Sequence, residues 1–291
     1  MIRLGVCTGP DKIGQAAELG FEFIECGFAW LSSLTDEEYD KVLAQVQAAP
    51  IRVEACNGML PGDLKVVGDK VDEQAIRAYL EKTFARAQKL GVKVVVFGSG
   101  AARGVPEGWP QDEAWRQIAR YLTIAEEYCE KYDITVAIEP LRRAECNIMN
   151  LVTEGTLMSA LLNLPHIGTL GDTHHMLCGH EPFSALTQAG RLLRHVHISH
   201  SMGDEGGRDF PAPGDDNDYD VIFEALKAGG YLVNGGTFIP VVGVDCNEEA
   251  KIAIKEGTMY ASVFNDAVGQ ADAVVKLCKL IADGETPTSE N

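Results

Sequence analysis

Residues 92–140 read VKVVVFGSGAARGVPEGWPQDEAWRQIARYLTIAEEYCEKYDITVAIEP, and they hold one full repeat of the pattern that sets the fold. Residues 92–98 and 134–139 are short, apolar, β-branched runs, the texture of strands buried on both faces. Between them, 111–132 carries Trp115, Ile118, Leu122 and Ala125 at helical spacing. Outward from this unit the strand texture recurs at 2–8 (IRLGVCT), 21–27 (FEFIECG), 51–57 (IRVEACN), 167–171 (IGTLG) and 194–199 (RHVHIS). The helix texture recurs at 72–90, where Ile76, Leu80, Phe84 and Ala87 share a face, Asp72 can cap the start and Gly91 ends the segment. Alternation at this density predicts βαβ units and a parallel sheet covered by helices. Units of about 30 residues in a chain of this length favour a closed (β/α)8 barrel, which takes roughly 250 residues, over an open doubly wound sheet. The open sheet would be helped by a glycine-rich phosphate fingerprint after the first strand, and CTGPDKIGQ (7–15) does not match GxGxxG. In either fold the C-terminal ends of the strands carry the chemistry.

The chain has 291 residues with 46% hydrophobic and 23% charged, enough for one large core. Twenty-five basic against 43 acidic residues leave a net charge of −18, which argues against a nucleic-acid backbone or an anionic membrane as partner. It leaves room for a small substrate or a metal cation, because those respond to local charge. No apolar run approaches the roughly 20 residues of a membrane span, and the first residues, MIRLGVCTGP, lack the pattern of a secretory signal. Eight cysteines without a CxxC pair read as reduced thiols packed as small buried hydrophobes. The expected location is therefore cytoplasmic.

All seven histidines fall between 166 and 200. Three successive predicted strands end in Glu139, Asp172 and His197, and parallel neighbours lie about 4.8 Å apart, so these groups can converge on one ion. Two carboxylates and an imidazole suit Mn²⁺, Co²⁺, Mg²⁺ or Zn²⁺. Each residue also has a plainer role: Glu139 as a solvated strand end, Asp172 as a helix cap. Yet an acid among Ile138, Pro140 and Leu141 is costly to bury without a partner. His195 and His197 share one strand face, with His197 nearer the C-terminal end. One of His174 and His175 is expected to face the site, and His166, His180 and His200 to lie in loops or at the surface.

The runs MLPGDLKVVG (59–68), VVVFGSGAARGVPEG (94–108), AIEPLRRAECNIMN (137–150), DTHHM (172–176) and HVHISHSMGDEGGRDFPAPG (195–214) together resemble the sugar phosphate isomerase/epimerase family, a xylose-isomerase-like TIM barrel group. The resemblance covers about residues 1–230. It implies an isomerase or epimerase of a sugar, ketose or sugar phosphate, with a homodimer or homotetramer as the expected assembly. The reaction it implies is proton abstraction next to a carbonyl, through an enediolate stabilised by one divalent metal ion. Under that resemblance Glu139 is a metal ligand and acid/base, Asp172 and His197 are metal ligands, and Glu145, His175 and Arg208 contact substrate.

The end of the chain departs from the family pattern. A glutamate ligand is expected at the eighth strand, shortly after Gly230–Tyr231, and none stands there. Instead 237–284 resembles the C-terminal part of a periplasmic sugar-binding protein. Two placements of the eighth strand follow: 237–245, with Asp245 as the fourth ligand and second acid/base, or 258–266, ending at Asp266. The organisation expected is barrel units one to seven over 1–231, an atypical βαβα segment over 232–284 and a frayed tail over 285–291. Alternatives to the epimerase are a keto-cyclitol or sugar-acid dehydratase using the same ligands, and a non-catalytic sugar-binding protein. A trinuclear-zinc DNA-repair endonuclease, a superfamily relative, needs histidines on early strands, and none precedes 166.

Overall fold

A computed structural model describes residues 3–201, 207–209, 218–231 and 240–243. Eight parallel strands close into a barrel: β1 (Arg3–Cys7), β2 (Phe23–Gly27), β3 (Arg52–Asn57), β4 (Val94–Phe97), β5 (Thr135–Ile138), β6 (Ile167–Asp172), β7 (Leu193–Ile198) and β8 (Pro240–Gly243). They pair in chain order, and β8 closes the ring between β7 and β1. The eighth strand thus falls inside 237–245. Residues 258–266 lie outside the described part of the chain, as do Asp245 and Asp266.

The helices on the outside include α1 (Ile13–Glu18), α2 (Phe28–Ser33), α3 (Asp36–Ala48), α4 (Glu73–Leu90), α5 (Gly100–Arg103), α6 (Gln111–Tyr132), α7 (Val152–Leu162), α8 (Thr173–Cys178), α9 (Ser184–Ala189) and α10 (Tyr219–Ala228). Their boundaries follow local chemistry. Asp72 Oδ1 accepts the Gln74 and Ala75 N–H groups at 3.0 Å each, which caps α4. Gly91, at φ 101°, then ends it in the left-handed conformation that glycine tolerates. Thr35 and Glu38 form a reciprocal capping box at the head of α3.

The main apolar core lies between strands and helices. Ile24, Val53, Val95, Val136 and Ile167 pack outward against Leu80, Phe84, Ile118 and Leu122. The opposite strand faces fill the barrel with a thinner layer, in which Val94, Val96, Ala137 and Leu170 form one cluster and Phe23 and Ala55 another. Gly5 admits the Phe23 ring, since a Cβ at position 5 would collide with it. Because side chains alternate with period two, the inward rows that begin with Phe23, Ala137, Leu170 and His195 end at Glu25, Glu139, Asp172 and His197. Among the described residues no helix is long and apolar enough to cross a membrane.

The expectation of buried cysteines needs one correction. Cys26, Cys56, Cys129 and Cys146 are buried, but Cys7 is exposed and Cys178 half-buried, because Cys7 ends β1 and Cys178 ends α8 at the open C-terminal end of the barrel; Cys246 and Cys278 lie outside the described residues.

Arg103 is fully buried and braces the site from behind. Its guanidinium donates to the carbonyls of Phe97 at 2.9 Å and Glu139 at 2.8 Å, tying the end of β4 to the end of β5, and it sits over the Phe97 ring. Arg103→Met keeps the length and removes the donors. Losing both guanidinium bonds, with the Phe97 carbonyl still accepting the Glu139 N–H at 3.1 Å, is expected to cost about 1–3 kcal/mol, read as a lower urea midpoint with an unchanged slope.

Candidate active site

The inward positions at the C-terminal ends of the strands meet in one charged cluster. His197 stands at its centre. Its Nδ1 lies 3.0 Å from Glu139 Oε1 and 3.4 Å from Asp172 Oδ2, and its Nε2 lies 3.1 Å from Glu25 Oε1. Asp172 and His197 are direct partners in the β6–β7 register, so adjacent strands deliver both groups to the same height. Asp172 is the helix cap foreseen for it, and its second oxygen faces the cluster. Its Oδ1 accepts the His175 backbone N–H at 3.1 Å and caps α8, while Oδ2 turns to His197 and to Arg208, whose guanidinium donates to it at 2.8 Å.

Glu139 sits one residue beyond β5, where Gly98 leaves room for it: a Cβ at position 98 would overlap Glu139 Oε2. Gly100 likewise lets the backbone approach, since a Cβ there would lie 2.6 Å from the Glu145 carbonyl. A cavity of about 420 Å³ opens above the cluster, lined in part by Glu139, Glu145, His175, His197 and Arg208. His175 accepts the Arg142 N–H at Nδ1 (3.2 Å) and faces Arg208 through Nε2 (2.9 Å). Glu145 is held by Arg142 at 2.8 Å. His174 turns aside to Ser201 at 3.0 Å and to Cys178. Three histidines are peripheral: His166 is half-buried against Glu126, His180 is an exposed loop residue, and His200 is a half-buried residue on a two-residue strand paired with Arg208–Asp209; His195 is fully buried below His197.

The structure therefore brings together every candidate within the described residues: Glu139, Asp172, His197, Glu145, His175 and Arg208. Asp245 lies outside them. Sequence reasoning missed Glu25, which is fully buried in the middle of β2 and contacts both His195 and His197. The signal was present in FEFIECG, where an acid shares the inward face with Phe23.

Electrostatics favour the charged forms of Glu25, Asp172 and His197. For Glu25, burial opposes ionisation, but the His197 charge and hydrogen bonds from His195 and His197 outweigh it and hold the carboxyl well below the usual range. For Asp172, burial is likewise overcome, here by the neighbouring His175 and Arg208 and by the His197 hydrogen bond, which hold it well below the usual range. For His197, burial favours the neutral ring, yet Glu25, Asp172 and Glu139 raise it well above an ordinary imidazole. Burial pushes His174 down to about 4. The donor set fits a divalent cation. Oxygen and nitrogen atoms of Glu139, Asp172 and His175 lie within 4.8 Å of one another, His197 Nδ1 faces the same two carboxylates, and concentrated buried negative charge favours an ion there.

Residues 13–240 match the xylose isomerase-like TIM barrel family. The chain is 24% identical over 230 residues to the 3-dehydro-D-guloside 4-epimerase of Escherichia coli, covering 76% of this chain and 83% of that protein. It is 26% identical over 221 residues to the L-ribulose 3-epimerase of Mesorhizobium japonicum, covering 75% and 71%. The solved D-allulose 3-epimerase from Methylomonas sp. in complex with D-allulose superposes with a TM-score of 0.71 at 20% identity, over 96% of each chain.

Gly98→Ala is expected to displace the Glu139 carboxylate from His197. In the metal-free chain this lowers the His197 pKa, because one of the acids that raise it is withdrawn. Histidine NMR titration checks the shift. The sign carries to stability: a raised histidine pKa stabilises the fold at low pH, and that contribution is lost as pH rises through the folded value. Gly98→Ala moves the point of loss to lower pH.

Proposed function

The chain belongs to the xylose isomerase-like TIM barrel family, and from that membership we propose that it is a divalent-metal-dependent epimerase or isomerase of a sugar, ketose or sugar phosphate. The observation that carries this reading is the convergence of Glu139, Asp172 and His197 at one end of the barrel, beneath a cavity of about 420 Å³. The relatives agree in their chemistry. An L-ribulose 3-epimerase and a 3-dehydro-D-guloside 4-epimerase each invert a carbon next to a carbonyl. A proton on such a carbon is acidic enough to be removed by a carboxylate once the carbonyl is polarised.

Glu139, Asp172 and His197 would hold the cation, with Asp245 as the candidate for a fourth position. When bound, the ion polarises the substrate carbonyl and its neighbouring hydroxyl. Glu139 takes the proton from the adjacent carbon as a carboxylate. Return of a proton from the opposite face gives the epimer, and Asp245 is the acid we assign to that step; return to the neighbouring carbon gives the isomer instead. Glu145 and His175 hold substrate hydroxyls, and Arg208, at the rim, grips a hydroxyl or phosphate oxygen. A second cavity of about 570 Å³ shares Cys7 and Asn57 with the first and runs to Trp30 and Gln45. It supplies room for a group beyond a single sugar ring.

Two measurements test this. After chelator treatment, saturating Mn²⁺ or Co²⁺ is expected to raise the melting temperature through binding to the folded state; an unchanged melt contradicts the metal site. In D₂O, the metal-loaded chain is expected to exchange deuterium into L-ribulose or D-fructose beside the carbonyl. Glu139→Gln is expected to reduce that exchange by about 10²–10⁴-fold with the fold intact. Wild-type exchange by the mutant removes Glu139 from the mechanism. Sugar binding without any exchange by the wild type favours the non-catalytic alternative.

A further inference from the structure

Glu25 does not line the cavity above Glu139 and His197; it borders the neighbouring cavity of about 570 Å³ instead. It is fully buried and sits beneath His197, on the side away from Glu139 and Asp172. Two imidazoles meet it: His195 Nε2 lies 2.8 Å from Oε2, and His197 Nε2 lies 3.1 Å from Oε1 and 3.3 Å from Oε2. The two rings stand edge to face at 5.0 Å. The β2–β3 register slips between Ile24 and Glu25, an irregularity of the kind that re-aims a side chain.

A neutral imidazole has one N–H and one lone pair. A carboxylate shared by two rings can only accept, so each ring must turn an N–H toward it. For His195 this leaves Nδ1 as a bare nitrogen, in keeping with its burial without a hydrogen-bond partner among the described residues. For His197 it leaves Nδ1, which faces Glu139 and Asp172 and bears a proton while no cation is bound, as the nitrogen that can give its lone pair to one.

We propose that Glu25 is a positioning residue: it locks His197 in the Nε2–H tautomer and fixes its ring plane, so that Nδ1 is presented to the cation. The inference rests on the metal-dependent reading above. Carboxylates that orient a ligating imidazole in this way typically change metal affinity about 10–100-fold when replaced.

The test titrates Co²⁺ into chelator-stripped wild type, Glu25→Gln and His195→Gln, followed by calorimetry and visible absorption, with circular dichroism on each. Glu25→Gln turns an amide N–H toward one of the two rings. We expect it to weaken Co²⁺ binding about 10–100-fold and to alter the cobalt spectrum. His195→Gln, which leaves Glu25 free to hold His197, is expected to stay close to wild type. Equal Co²⁺ affinity in wild type and a folded Glu25→Gln overturns the inference. So does a sulfur-to-cobalt charge-transfer band abolished by Cys7→Ser, because Cys7, Glu25 and His197 also lie within 4.8 Å of one another and such a band places the ion on the inner side. Should Glu25→Gln not fold, nitrogen NMR of Zn²⁺-loaded wild type decides: a His197 proton on Nε2 supports the lock and one on Nδ1 refutes it. Failure of wild type to bind any of these ions refutes the metal-dependent function itself, a result separable from the loss of the Glu25 role alone.

Discussion

One imidazole stands among three buried carboxylates, and the upper end of the barrel is arranged around that fact. Glu25, Glu139 and Asp172 each place an oxygen within 3.4 Å of a His197 ring nitrogen. Buried like charges at this spacing need compensation. Without a metal it comes from His197 itself and from Arg208, which donates to Asp172. The neighbouring backbone is shaped to the same end. Gly98 clears space for Glu139, Arg103 ties down the Glu139 carbonyl, and Asp172 is fixed by capping α8 with its other oxygen. A site this charged is held by local scaffolding at every member, which is how its geometry survives the repulsion within it.

The barrel was legible because strand and helix announce themselves by period. The run 111–132 is helical over those same bounds, and the 72–90 stretch differs only in that Asp72 stands outside as the cap. The site was legible where an acid or imidazole ended an apolar strand with no apparent reason to be there, as at Glu139, Asp172 and His197. Glu25 escaped although it satisfies the same test. In FEFIECG it stands between Ile24 and Cys26, two residues before the strand ends, and a mid-strand acid reads easily as a solvated one. Only closure of the ring shows that β2 and β7 face each other across the interior, so that an acid near the start of the chain meets a histidine 172 positions later. Sequence patterns report which face a residue takes; they do not report what lies across the barrel.

Closure also explains how an unusual C-terminal stretch can serve. The family match ends at residue 240, where β8 begins. Parallel pairing uses backbone groups, which any non-proline residue supplies, and Pro240 occupies the first position, where a missing N–H is best tolerated. Val241–Gly243 pair with Val196–Ile198 on one side, and Pro240–Val242 pair with Arg3–Gly5 on the other. A strand of different texture can complete the ring as long as its backbone is extended and its length suffices. The tip of that strand, where the family resemblance implies a glutamate, lies outside the described residues.

The two halves of the barrel divide the work. Strands β5 to β7 end in charge: Glu139, Asp172 and His197, with Arg208 beyond them. Strands β1, β3 and β4 end in small or uncharged groups, with Cys7, Asn57, Gly58, Gly98 and Ser99 along the cavity wall. Charge on every strand tip would fill the mouth with ion pairs and leave no volume for a substrate. Small groups all round would give volume without a focus of charge. Concentrating the acids on one arc gives a cation and a polar substrate a defined side to approach, while the opposite arc stays open toward Trp30. Glu25 is the exception on the open arc. It borders the cavity toward Trp30, while its carboxylate is taken up by His195 and His197 and so supports the charged arc.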